Sequence, residues 1–161
     1  MRLCIVILFA LLVIGAVGFL SIDHKVQAKL DQQGLTRQQR IDIEKLGELK
    51  GDTQTILLYM QDTPMMDAMS GLFVSQCASC HGADGAGETG PNLTDDHYIL
   101  IKNVEGIYKN IKWGSIAKGM PPWEGILSET EMVLLTAYVA KLRGTSTEGK
   151  IPEGVIIEPW K

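Results

Sequence analysis

The chain has 161 residues, enough for one domain with a modest core, and carries a formal net charge of -4 with a pI near 5.3. That acidic balance excludes the broad basic face of a nucleic-acid binder. Three cysteines, an odd number, exclude an even disulfide framework.

From Leu3 to Ile22 no residue carries a formal charge, and Leu, Ile, Val, Ala, Gly and Phe dominate. A helix over that run rises roughly 30 Å, enough to cross the hydrocarbon core of a bilayer. Arg2 ahead of it suits a cytoplasmic N-terminus. The competing reading is a cleaved signal peptide, whose apolar stretch is usually about 7–15 residues. Val26-Gln27-Ala28 is a candidate cleavage site, but the run is longer than a signal needs. Residues 1–22 are therefore expected to be a transmembrane anchor, with a signal peptide as the alternative, and Cys4 is an apolar membrane residue within it.

Residues 23–62 are polar and Gln-rich, and read as a partly helical spacer. Thr36 with Gln39 resembles a capping box opening a helix through about Leu49, which Gly51-Asp52 breaks. Thr53 to Gln61 fits a helix or a strand. Residues 63–144 are expected to form the main domain. Thr63 as N-cap with Pro64 at the first helical position opens a helix leading to Cys77, with Met69, Leu72 and Phe73 on one face. A second helix is expected from about Val104 to Trp113, ended by Gly114. The third is capped by Ser128 and Glu131 and buries Leu134, Leu135, Tyr138, Val139 and Leu142 before Gly144. Gly/Pro-rich loops fill 82–92 and 114–125. Residues 145–161, with two prolines and no long period, read as an extended tail.

Cys77-Ala78-Ser79-Cys80-His81 reads C-x-x-C-H, the attachment signature of haem c. Each thiol can form a thioether to a haem vinyl group, and His81 follows at once as the proximal iron ligand. A redox dithiol would want a βαβ context, and a zinc site a second Cys or His pair; the sequence offers neither. For the sixth iron ligand the candidates are the methionines, His24 and His97. Met65, Met66, Met69 and Met132 sit on helical patterns and read as core filler. Met120 does not. It lies in Lys118-Gly119-Met120-Pro121-Pro122-Trp123, where two prolines fix φ and Gly119 permits a sharp approach, so Met120 is the expected distal ligand. His97 reads as an exposed loop histidine, and His24 lies beside the membrane run. Gly90-Pro91-Asn92-Leu93 follows the attachment site, and the Pro91 carbonyl suits the acceptor that fixes a metal-bound imidazole, a plain turn before the next helix being the alternative; Pro91 and Leu93 are both placed with the cofactor-binding residues.

Residues from about 67 to 143 resemble a class I cytochrome c, most of all the cytochrome c domains of the dihaem subunit of cbb3-type haem-copper oxidases. The residues that carry the resemblance are Cys77 to Gly82, Gly90 to Asp96, Gly119 to Trp123, and Leu134 to Val139. It implies an all-α fold, three main helices around one haem, with Phe73 and Tyr138 paired where the first and last helices cross. There are two departures. Met69 occupies the position of the usual glycine at that crossing, with Gly71 displaced. Only one C-x-x-C-H is present, so the protein is expected to be monohaem.

The resemblance implies electron transfer rather than enzymatic turnover, in a respiratory chain, with the haem domain on the periplasmic side of a bacterial inner membrane. Redox proteins are the expected partners, among them a membrane oxidase or a quinol-oxidising complex. Lys102, Lys109, Lys112 and Lys118 are candidates for a local basic rim, a solvated helix face being the alternative. The alternative function is a haem c enzyme or sensor, peroxidase- or reductase-like, with a displaceable sixth ligand.

Overall fold

The computed structural model describes residues 34–146 and 148–161. The expected membrane run, Cys4 and His24 lie outside the described residues. Among the described residues no helix is long and apolar enough to cross a membrane.

Helix α1 spans Arg37–Lys45 and opens on the expected capping box, with the Thr36 and Gln39 side chains satisfying each other's backbone amides. It ends well before Leu49, because Gly47 takes a left-handed φ of 69°. The ambiguous stretch is helical: α2 spans Thr53–Tyr59, capped by the Asp52 carboxylate on the Thr55 amide. Helix α3, Thr63–Gln76, starts one residue earlier than expected. Its cap is Asp62, whose carboxylate accepts from Met65 N at 3.0 Å, a stronger acceptor than the Thr63 hydroxyl. The single turn α4, Ala78–His81, follows directly. After the short strand β1, His97–Tyr98, come α5 at Val104–Trp113, a 3-10 turn at Ile116–Lys118, and α6 at Glu129–Leu142. Strand β2, Val155–Ile156, pairs antiparallel with β1, His97 opposite Ile156 and Tyr98 opposite Val155.

The core lies where α3 and α5 pack on α6. Met69, Leu72 and Phe73 of α3 meet Val133, Leu134 and Ala137 of α6, all fully buried. Helix α6 is covered on nearly every side, so its apolar set is broader than the single expected stripe. The Phe73 and Tyr138 rings lie 5.4 Å apart at a 48° tilt, the aromatic pair implied by the resemblance. Met66, Met69 and Met132 are buried core residues as expected, and Met65 packs partly buried against them.

Two parts of the chain are less detached than their polar composition suggests. From residue 34 onward the spacer packs on the domain, with Leu35, Ile43 and Ile56 buried in its core. Gly71 faces that segment: a Cβ there would run into the Gly34 carbonyl, so its displacement serves contact with the N-terminal chain. The tail also folds back, through β2 and through Trp160, whose Nε1–H donates to Ala140 O at 3.0 Å.

Candidate haem site

Cys77 ends α3, its amide held by Phe73 O at 2.7 Å, and α4 carries Cys80 and His81 one turn further. Both thiols are free, Cys77 half-buried and Cys80 exposed. Burial pushes the Cys77 thiol of the haem-free chain up to about 12, with a smaller contribution from Cys80. The loop after α4 folds back on the motif. Gly87 N donates to His81 O at 2.7 Å, and Glu88 N and Gly90 N donate to Cys80 O at 3.0 and 2.7 Å.

That return brings Pro91 O to 3.0 Å from His81 Nδ1. A neutral imidazole that donates from Nδ1 leaves Nε2 as its lone-pair nitrogen, the form that binds a metal. Burial lowers the His81 pKa; the Pro91 carbonyl opposes that, and Lys150 adds to it. Gly90 is obligatory here, since a Cβ would sit 2.9 Å from His81 Cε1 and 3.1 Å from Cys80 O.

Met120 comes from the opposite wall. Ser115 and Met120 exchange backbone hydrogen bonds at 2.9 and 3.1 Å around the 3-10 turn, and Gly119 sits at φ 82°. Space around Gly119 is open, so its left-handed backbone, and no close approach, is what calls for glycine. Close contact occurs at Gly114 instead, where a Cβ would lie 2.6 Å from the Pro121–Pro122 peptide. Trp123 N and Glu124 N donate to Ile111 O and Lys112 O, clamping the loop to the end of α5. The Asn110 amide donates to the Met120 sulfur at 3.2 Å, a contact that sequence reasoning missed.

Cys77, Cys80, His81, Pro91, Leu93 and Met120 all line one cavity of about 470 Å³, whose walls include Phe73, Ile107, Ile111 and Val139. A shallower depression between α1 and the start of α6 holds no thiol, imidazole or thioether. His97, expected as an exposed loop residue, also lines the haem-sized cavity and is half-buried, because β1 ties it to the tail. The cavity fits a haem in three respects. It is large and apolar, it gathers both thiols with an oriented imidazole and a thioether, and it leaves polar atoms without protein partners. The last are the Tyr98 hydroxyl and His97 Nδ1, both buried without a hydrogen-bond partner on residues that line the cavity, with Asp95 Oδ1 4.0 Å from His97 Nδ1. A haem's carboxylates are groups that call for such donors.

The expected basic rim is incomplete. Lys102, Lys109 and Lys118 are exposed, but Lys112 is committed to Glu129 at 3.0 Å, to Tyr108 at 3.2 Å and to Glu124 at 3.8 Å. Its pKa is raised by the hydrogen bond to Glu129 first and that to Tyr108 second.

A helical domain whose C-x-x-C-H turn opens on an apolar cavity opposite a loop methionine is a class I c-type cytochrome domain, and its cofactor is haem c attached through Cys77 and Cys80. Residues 64–139 match the family described as cytochrome c oxidase, cbb3-type, subunit III, and the domain is similar to the cytochrome c domains of those oxidases. The cbb3-type cytochrome c oxidase subunit FixP of Bradyrhizobium diazoefficiens is 34% identical over 118 residues, covering 66% of this chain and 40% of that protein. Subunit CcoP of Rubrivivax gelatinosus is 39% identical over 75 residues, covering 45% and 24%. The chain thus spans less than half the length of these curated relatives. Among solved structures, cytochrome cL from the marine methylotroph Methylophaga aminisulfidivorans is similar at 27% identity and a TM-score of 0.48, over 60% of this chain and 75% of that one.

Proposed function

We propose that this protein is a membrane-anchored monohaem c-type cytochrome that passes single electrons in a respiratory chain, as a carrier or as a subunit of a membrane oxidoreductase complex. Residues 1–22 would hold it to a bacterial inner membrane with residues 63–144 as the haem domain on the periplasmic side. The kinship with cbb3-type oxidase subunits supports a membrane oxidase as its partner. The observation that carries the reading is that His81 and Met120 line the same apolar cavity, each held by a hydrogen bond, to Pro91 O and from Asn110.

Haem c, when bound, supplies an Fe(III)/Fe(II) couple. The protein's part is to fix it and set its potential. Cys77 and Cys80 provide the thioethers. His81 would hold the iron through Nε2, its ring orientation set by the Pro91 carbonyl. Met120 would hold it through its sulfur, and thioether ligation in an apolar setting would favour the ferrous state. A site with both protein ligands engaged would suit electron transfer over peroxidase- or reductase-like chemistry. Leu100 and Pro121 line the cavity and stand exposed, which suits brief contact with a redox partner.

The test is the absorption band of methionine sulfur on ferric iron. It is expected in the haem-loaded protein and should vanish in Met120→Ala. A spectrum without that band, unchanged by the substitution, sinks the ligand assignment and favours the enzyme or sensor reading.

A further inference from the structure

The family match ends at residue 139 and α6 at Leu142, yet the chain then turns back over the domain. Arg143 anchors the return. Its guanidinium donates to Asp96 Oδ1 at 2.6 Å, to Glu158 O at 2.8 Å and to Ile157 O at 2.6 Å, and lies 4.8 Å from the Trp160 ring centre. This fixes the far end of the tail beside β1. The near end is fixed elsewhere, on the loop that serves His81.

Lys150 makes that second attachment. Its backbone N–H donates to Ala86 O at 2.8 Å, and its carbonyl accepts from the Asn92 amide at 3.5 Å. Its ammonium reaches Thr89 O and Gly90 O, both at 3.3 Å, and pairs with Glu153 at 2.7 Å. Two glycines make the approach feasible: a Cβ on Gly87 would sit 2.9 Å from Lys150 Cβ, and one on Gly149 would sit 2.6 Å from Ala86 O. The carbonyls that the ammonium holds belong to the two residues immediately before Pro91. Pro91 in turn supplies the acceptor for His81 Nδ1.

We propose that the tail from residue 148 onward is a strap and that Lys150 is a positioning residue for His81, acting through the 86–91 loop and the Pro91 carbonyl. The inference rests on reading His81 as an iron ligand. Lys150 also brings a positive charge to the His81 side of the site, partly offset by Glu153 at 2.7 Å, and the remainder would disfavour the additional charge of ferric iron.

The experiment uses the full-length, haem-loaded protein and three variants: Lys150→Met, Lys150→Arg, and Trp160→Ala, which loosens the strap from its other end. Amide hydrogen exchange at Gly87 and Gly90 should rise about tenfold in Lys150→Met, as for the loss of a charge-assisted hydrogen bond, with α6 unchanged. The paramagnetically shifted resonances of the His81 ring should move and the midpoint potential should fall. Trp160→Ala should raise the exchange and move the His81 resonances in the same direction while leaving the Lys150 charge in place, and Lys150→Arg should stay near wild type. Faster exchange with unmoved His81 resonances and potential overturns the positioning role and leaves a merely structural tail. Unchanged exchange in both Lys150→Met and Trp160→Ala overturns the strap itself. A wild-type spectrum without a ligated histidine overturns the site reading, and this inference with it.

Discussion

At the scale of single residues, the site depends on one side chain that bonds to Met120, that of Asn110, and on one that is missing, at Gly90. Asn110 donates to the Met120 sulfur and withdraws electron density from it, which should weaken its support of ferric iron. Asn110→Ala should therefore lower the midpoint potential while leaving the sulfur-to-iron band in place, as read by potentiometric titration followed optically. Gly90→Ala should do the reverse kind of damage. Its Cβ has no room beside the His81 ring, so the ring must turn away from Pro91, and overpacking of that sort costs about 1–3 kcal/mol. Urea unfolding of the haem-loaded protein measures the loss. Cys77, Cys80 and His81 were legible from one pentapeptide because attachment chemistry demands that spacing. Asn110 was not, because it sits ten residues from Met120 on a different element, and nothing in a lone Asn on a helix announces a sulfur partner.

At the scale of elements, helices with chemical punctuation were readable almost to the residue. Ser128 with Glu131, and Gly114, mark their helix ends because side-chain oxygens and a positive-φ glycine satisfy orphaned backbone groups locally. The Asn103 side chain, which accepts from Gly106 N at the start of α5, is a cap that sequence reasoning missed. The β1–β2 pair was hidden for the opposite reason: two residues against two carry no periodicity, and their pairing spans some sixty positions of sequence. Its physical consequence is the burial of Tyr98, whose ring meets Trp160 edge-on at 5.3 Å. Burial pushes the Tyr98 phenol up to about 12 from an ordinary 10, Arg143 opposing and Asp95 and Asp96 adding. A raised folded value means the fold favours the neutral phenol. This contribution is fully present below about pH 10 and is lost as the pH climbs through about 12, at up to about 1.4 kcal/mol per pH unit. Tyr98→Phe has no proton to lose, so its stability should fall less steeply between about pH 10 and 12, with unfolding curves at each pH as the measure.

At the scale of the whole molecule, the domain that folds is larger than the domain that matches its relatives. The haem motif, two capped helices and the Met120 loop, the features that local chemistry marks in the sequence, all fall within residues 63–144. The sequence pattern understated residues 34–62, because their apolar positions are sparse among Gln, Lys and Glu, and sparse burial leaves no clear stripe. Yet Ile56 is fully buried, and α2 packs against α5 and α6. Thr53 N and Oγ1 both donate to Glu105, and Leu49 N donates to Thr130 Oγ1 at 3.2 Å, so polar bonds seal the same seam. If these helices belong to one cooperative unit, damage in them must be felt at the haem. Ile56→Ala should cost about 2–5 kcal/mol, the range for emptying a fully buried aliphatic site. The loss should appear as one coincident shift of the far-ultraviolet and haem-absorbance transitions, as it should for Phe73→Ala at the central crossing. A separate early transition seen only in the far ultraviolet, with the haem signal unmoved, would make α1 and α2 an independent attachment instead of a wall of the cytochrome.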